Sequence, residues 1–136
     1  MPHDPQEISV ISSAGGKLHV RFAATVRLED SFRLLEEVRL VAMTNRADRV
    51  LLDVTAYEVR LNVMQRLQMA LAVVAKLRPY RVAGVFSHAT FDPLRIGETM
   101  AINRGAKLKV FTSLAEAEAW IDAKPAVKPR PSFGQT

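Results

Sequence analysis

Cysteine is absent from this sequence. That absence excludes a disulfide scaffold, thiol catalysis and a cysteine-ligated metal site. No apolar run approaches the roughly 20 residues that a membrane-spanning helix needs. The first residues, MPHDP, contain no basic stretch followed by an apolar one, so we expect no signal peptide. The simplest expectation is a cytoplasmic protein.

Aromatic residues are few, at 7%, but a hydrophobic fraction of 49% in 136 residues suffices for one ordinary core. The net charge of +5 at first suggests a nucleic-acid partner. Three of the basic residues, Lys124, Lys128 and Arg130, lie after Ala123 in a segment without acidic residues. We therefore expect one domain over residues 6–122, a flexible basic Pro-rich tail over 123–136, and no nucleic-acid partner. Any membrane contact by this tail would be weak and peripheral, and a solubilising role is the alternative.

Short apolar runs alternate with one-sided helical patterns along the chain. The run Val50–Val54 is bounded by polar residues and predicts a strand buried on both faces. Strands are predicted at residues 7–12, 17–26, 50–54, 82–86 and 107–111. Helices are predicted at residues 31–44, 61–77, 93–104 and 113–121. The predicted fold class is α/β, with a mixed, mostly parallel five-stranded sheet, four helices and the order β-β-α-β-α-β-α-β-α.

Two apolar residues of the second helix fall on its otherwise polar side. Met69 and Val73 are four residues apart, so they are neighbours on the helix surface. One interpretation is two scattered surface residues. The other is an interaction patch that contacts a partner or a second copy of the chain.

The loops that follow the carboxyl ends of the parallel strands are the favoured place for a ligand or partner. The candidate residues in these loops are Asp53, Thr55, Tyr57, Glu58, Arg60, Asn62 and His88. The alternative is that these residues are ordinary caps and solvated loop positions. Three scattered histidines predict no metal site, and Gly15-Gly16 joins two strands rather than opening a phosphate-binding helix, so we expect no cofactor.

The order of elements resembles that of the STAS domains of sulfate transporters and anti-sigma-factor antagonists. The resemblance rests on the Val50–Val54 strand ending near Asp53, the long helix after it, the strand at residues 82–87, and the closing segment VFTSLAEAEAWI. This last segment is similar to the bacterial SpoIIAA-like, or STAS/SEC14-like, subgroup. The resemblance covers most of residues 8–121 and implies a STAS-like fold.

The antagonist branch carries a serine at the start of the helix after the central strand, and its phosphorylation switches partner binding. Here that region reads EVRLNV over residues 58–63, without serine or threonine. The phosphorylation switch is therefore not implied for this chain, and Thr55 is the nearest hydroxyl. The SEC14-like subgroup resembles lipid carriers, which implies an apolar ligand or a membrane surface.

These observations give three functional hypotheses. The first is a non-enzymatic regulatory or protein-interaction module, with a protein partner or self-association through the loop over residues 55–62 and the second helix. The second is a carrier or sensor of a small apolar ligand or lipid, in which the helix after Asp92 shifts and Gly97 is its flexible or close-packed point. The third is a hydrolase or transferase that uses His88, although no nucleophile is placed against it in the sequence.

Overall fold

The computed structural model describes residues 7–57 and 60–123. They form an α/β fold with five strands and four helices, as the sequence predicts. The strands are β1 Ile8–Ala14, β2 Lys17–Phe22, β3 Arg49–Asp53, β4 Arg81–Val85 and β5 Lys107–Phe111. The helices are α1 Leu28–Thr44, α2 Val63–Leu77, α3 Ile96–Asn103 and α4 Leu114–Asp122. The predicted tail and the loop residue Glu58 lie outside the described residues, apart from Ala123.

The sheet is mixed, with the spatial order β1-β2-β3-β4-β5. Strand β1 pairs antiparallel with β2, and the remaining neighbours pair in parallel. Gly15 and Gly16 turn the chain between β1 and β2 with φ of +62° and +83°, values that glycine adopts readily. A Cβ atom at Gly16 would lie 2.9 Å from Asp48 Oδ1, so the exposed Asp48 side chain would have to move.

Both faces of the sheet are covered around β3. On one face, Val50 and Leu52 belong to the main core, which α1 and α2 close. On the other face, Leu51 packs with Ala117 and Ile121 of α4. The expectation that this strand is buried on both faces is confirmed.

Helices α1 and α3 each begin three residues away from the predicted position. Helix α1 begins at Leu28, and Ser31 lies inside its first turns, where it is buried and its hydroxyl donates to the Arg27 carbonyl at 3.3 Å. Helix α3 begins at Ile96, because residues 92–95 form a separate turn first. In that turn the Asp92 carboxylate accepts hydrogen bonds from the backbone N–H groups of residues 94 and 96, at 3.0 and 2.9 Å.

The prediction that Met69 and Val73 lie on the exposed side of α2 is wrong. Val73 is only 9% exposed and belongs to the main core, and Met69 packs against that core. The exposed large apolar residues of α2 are instead Val63, Met64 and Leu71, at 51%, 62% and 45% exposure. Helix α2 is apolar around much of its circumference: it contacts α1 and α3, and its buried residues share the main core with residues of the sheet. Periodicity alone could not decide which apolar stripe is buried.

His19 also differs from expectation. His19 alternates with Leu18 and Val20 along β2, so we expected it on a polar, solvated face of the sheet. Its side chain is only 6% exposed. Among the described residues its Nε2 atom has no hydrogen-bond partner. Burial lowers the pKa of the His19 imidazole, although the nearby Asp53 carboxylate opposes this shift. The face of the sheet that carries His19 is therefore less exposed to solvent at β2 than the alternation of apolar and polar residues predicts.

Replacing Leu51 with alanine tests the central position of β3. The Leu51 side chain is fully buried between the sheet and α4, so Leu51→Ala should lower the free energy of unfolding by about 2–5 kcal/mol. Leu40→Ala, at an exposed position of α1, is the matched control and should change it by less than about 0.5 kcal/mol. Urea titration followed by circular dichroism gives both values. Equal effects of the two substitutions would contradict the assigned burial.

Candidate functional site

An apolar cavity lies between the sheet and helices α1, α2 and α3, near the carboxyl ends of the parallel strands. Its volume is about 150 Å³. Most of its lining is apolar and includes Phe22, Leu52, Met69, Val73, Phe86 and Val110. Ligands of open α/β sheets bind at this end of the strands. The cavity is therefore the candidate site.

Gly84 has no side chain, and this leaves part of the cavity empty. Gly84 in β4 lies in register between Leu52 of β3 and Val110 of β5, and all three residues line the cavity. A Cβ atom on Gly84 would meet Phe86 Cε1 at 3.4 Å and Val110 Cγ1 at 3.8 Å, which are tolerable contacts. The backbone would thus accept a side chain here, and glycine leaves its volume to the cavity.

Helix α3 forms one wall of the cavity and approaches α2 closely at Gly97. A Cβ atom at Gly97 would lie 3.3 Å from the Arg66 carbonyl oxygen and 3.6 Å from Ala70 Cβ. Gly97 is thus a close-packed point, one of the two roles considered for it. The fully buried residues around α3 are small, namely Ala70, Ala101 and Ala106, and Val74, Met100 and Leu108 pack against them partly buried. Because small side chains bury little apolar surface, the fully buried part of this contact contributes less stability than leucine or valine would.

Charged side chains form the rim of the cavity. Arg66 and Asp92 approach each other to 3.8 Å, and Arg95 and Glu98 form a closer pair at 2.9 Å. The Glu98 carboxylate also accepts a hydrogen bond from the Val110 N–H at 2.8 Å. The rim therefore carries two positive and two negative groups around an apolar interior.

Asp53 and Thr55, two predicted site residues, form a closed polar turn beside β2. The Asp53 carboxylate is buried and accepts from the Thr55 hydroxyl at 2.6 Å, the Thr55 N–H at 3.0 Å and Arg21 Nε at 3.2 Å. Burial alone would raise the pKa of Asp53, but these hydrogen bonds outweigh it and hold the pKa below its usual range. Neither residue lines the cavity. Their contacts support a structural role at the strand exit.

The other loop candidates divide between the cavity and the surface. Tyr57 is buried and lines the cavity, with its hydroxyl 3.4 Å from Ser31 Oγ. Asn62 caps α2 by accepting from the Gln65 N–H at 2.8 Å, while the Gln65 side chain accepts from the Asn62 N–H at 2.9 Å. Arg60 is exposed. Of the predicted loop residues, Tyr57 alone joins the cavity within the described part of the chain.

His88 is exposed in the turn after β4 and does not line the cavity. The same turn contributes Thr90, whose hydroxyl lies 3.1 Å from Ser87 Oγ. Over residues 7–57 and 60–123, the cavity lining contains neither histidine nor lysine. The structure therefore does not bring His88 together with Tyr57.

Sequence reasoning missed several residues of the cavity, above all Gly84 and Arg66. A glycine inside a buried strand is a signal of close approach or of a bound ligand, and Gly84 in the run VAGVF carries that signal. Arg66 gives no such signal, because an arginine on a helix is usually solvated. Phe86 and Phe91 were assigned to a strand end and a loop, and both line the cavity.

Protein-family models give no match to the chain, and no curated protein matches it either. Within the described ranges, no helix has the length and apolar character needed to cross a bilayer. The same ranges contain no group of three or more histidine, aspartate or glutamate side chains arranged to hold a metal ion.

The Asp53–Thr55 turn gives a prediction about pH. Thr55→Val removes the hydroxyl donor but keeps the shape of the side chain, so the free energy of unfolding at pH 7 should fall by about 1–2 kcal/mol. The Asp53 pKa is lower in the folded state, so this stabilisation is present above the ordinary aspartate pKa of about 3.9 and is lost as pH falls through the folded value. The free energies of unfolding of Thr55→Val and the wild type should therefore approach each other below about pH 4.

Urea titrations at several pH values measure this difference. Thr112→Val is the matched control, because Thr112 is half-buried and its hydroxyl makes no hydrogen bond among the described residues. A loss in Thr55→Val that stays constant from pH 7 to pH 3 would contradict the assigned charge-assisted bond.

Proposed function

We propose that this chain is a non-enzymatic STAS-like module that binds a small apolar ligand in the cavity beside Gly84. The observation that carries the proposal is the cavity of about 150 Å³ with its largely apolar lining. An apolar cavity of about this size in another protein stays dry and binds benzene. The ligand of the closed form is therefore expected to be about the size of one ring, smaller than the ligands of typical drug-sized pockets.

The packing of α3 supports entry of such a ligand. The fully buried part of its contact is made by alanines, and the helix follows a turn in which Arg95 adopts a left-handed backbone with φ of 54°. Movement of α3 away from α2 would open the cavity between Gly97 and the sheet. A larger ligand, such as a lipid chain, would need this movement, and the resemblance to SEC14-like carriers agrees with it.

We propose no catalytic reaction in the cavity. The two carboxylates on the rim are already engaged, since Asp92 accepts from two backbone N–H groups and Glu98 accepts from the Val110 N–H and pairs with Arg95. A general base needs a free lone pair directed at the substrate. The remaining polar groups of the lining fit recognition better than catalysis.

Filling the cavity tests this proposal. In Gly84→Val the two methyl groups would occupy the space beside Leu52 and Val110, while valine suits a strand. For the wild type, toluene at 100 times its Kd should raise the free energy of unfolding by about 2.7 kcal/mol. Gly84→Val should lose this response and remain at least as stable as the wild type without toluene.

Thermal unfolding with and without toluene, together with titration by NMR, measures the effect. Ala14→Val introduces the same side chain at an exposed position of β1 and should keep the full response. Absence of toluene binding in the wild type, or equal binding in Gly84→Val, would contradict the proposal.

A second candidate function, protein interaction, is supported by the outer face of α2. Met64 and Leu71 lie seven residues apart on one side of the helix and are both exposed. This pair replaces Met69 and Val73 as the apolar surface that a partner or a second copy of the chain would cover. Exposed apolar residues on one helix face are typical of such contacts.

Charge substitution on α2 tests this second candidate. Self-association through this face predicts a concentration-dependent dimer in sedimentation analysis. Met64→Glu combined with Leu71→Glu should shift the chain to monomer, because two carboxylates would be buried in the contact. Leu40→Glu combined with Met43→Glu, at exposed positions of α1, is the control and should leave the dimer intact. A wild type that is monomeric at all concentrations would remove self-association as a function of this face.

A further inference from the structure

Arg66 differs from the other charged residues on the rim of the cavity. It lies on α2, lines the cavity, and its side chain is 30% exposed. Its closest ionic contact is Asp92, at 3.8 Å, which is too long for a hydrogen bond. Among the described residues the Arg66 guanidinium donates no hydrogen bond, so its N–H donors are available to a ligand.

The neighbouring charged residues Asp92 and Arg95 are held in place by hydrogen bonds to groups other than Arg66. Asp92 uses both carboxylate oxygens for backbone N–H groups of the turn before α3. Arg95 is held by Glu98 at 2.9 and 3.1 Å, by the Val110 carbonyl at 3.3 Å, and by the Phe91 ring, whose centroid is 5.2 Å away. Arg66 is therefore the guanidinium on this rim that can turn to a ligand without breaking an existing hydrogen bond.

We propose that the ligand is a small apolar monocarboxylate, with its apolar body in the cavity and its carboxylate on the Arg66 guanidinium. This inference rests on the proposed function, since it assigns the chemical class of the ligand for the same cavity. A guanidinium matches a carboxylate through two parallel N–H···O bonds, and a partly enclosed mouth strengthens such a pair relative to water. The apolar body would fill the ring-sized space above Gly84.

The charge of the rim favours a single negative charge on the ligand. Two arginines are balanced by Asp92 and Glu98, so the rim is neutral before a ligand binds. A monocarboxylate gains the Arg66 contact and loses the hydration of one charge. A dianion such as a phosphate monoester would double the attraction to Arg66 and the repulsion from Asp92 alike, but it would lose much more hydration on entering a site bordered by apolar residues. Monocarboxylates should therefore bind more tightly than phosphate esters of the same apolar group.

Phenylacetate and phenylacetamide form a matched pair of probes, because they share the ring and differ in charge. For the wild type, isothermal titration should give a Kd for phenylacetate about ten- to a hundredfold below that for phenylacetamide, which is the range expected when one charged bidentate contact is gained. Arg66→Met should raise the phenylacetate Kd to the level of the amide and leave the amide Kd within about twofold. Arg66→Gln is the second variant if the first does not fold.

Arg78→Met is the control, because Arg78 is exposed at the opposite end of α2 and should leave both constants unchanged. Toluene separates the possible failures. If toluene binds but phenylacetate binds no more tightly than the amide, or if Arg66→Met leaves their ratio unchanged, the anionic ligand class is overturned and the apolar site stands. If neither toluene nor either probe binds, the proposed function and this inference are both overturned.

Discussion

Strand β3 is the constraint on which the rest of the structure depends. Its side chains point alternately to two cores, with Val50 and Leu52 on the side of α1 and α2 and Leu51 on the side of α4. Its backbone pairs with β2 on one edge and β4 on the other, so its N–H and C=O groups are satisfied without water. A strand in this position fixes the register of both neighbours. It thereby places Phe22, Leu52 and Gly84 at one end of the sheet.

The cavity exists because this register places residues with small side chains, or none, next to one another at the carboxyl end of the sheet. Large side chains at every position facing α2 would fill the layer completely, as they do around Val50 and Leu18. At the carboxyl end the chain instead places Gly84 in the sheet and Ala70 and Gly97 between the helices. A void lined by apolar groups loses packing contacts and therefore lowers stability. The chain retains this void at the end of the sheet where ligands of such folds bind, which supports a functional reason for it.

Much of the fold could be predicted from the sequence, because its strong signals are local. The apolar run around Leu51 and the glycine turn at Gly15 each depend on a few neighbouring residues, and each lies where it was predicted. The burial of Met69 and His19 could not be predicted in this way. Both side chains are covered by segments distant in the sequence, and their own periodicity places them on polar faces.

The cavity lies at the end of the sheet where a ligand was expected, and its lining residues were predicted only in part. Strand order places ligands at the carboxyl ends of the parallel strands, and the cavity lies there. Of the polar residues named from those loops, Asp53 and Asn62 proved to be engaged in a turn and a helix cap. These residue types satisfy nearby backbone groups wherever a strand or helix ends, so their presence in a loop says little about ligands.

The contrast between Asp53 and Arg66 shows what distinguishes a recognition group from a structural one at the same end of the sheet. Asp53 is buried and receives hydrogen bonds from Thr55 and Arg21, so a ligand would have to break them to reach it. Arg66 borders the apolar cavity and remains partly exposed, and its ionic contact over residues 7–57 and 60–123 is the long one with Asp92. Binding an anion at Arg66 therefore costs less local structure than binding any group at Asp53. The chemistry of the site is thus expected to depend on helix α2 and its neighbour α3, with the strand ends supplying the apolar floor.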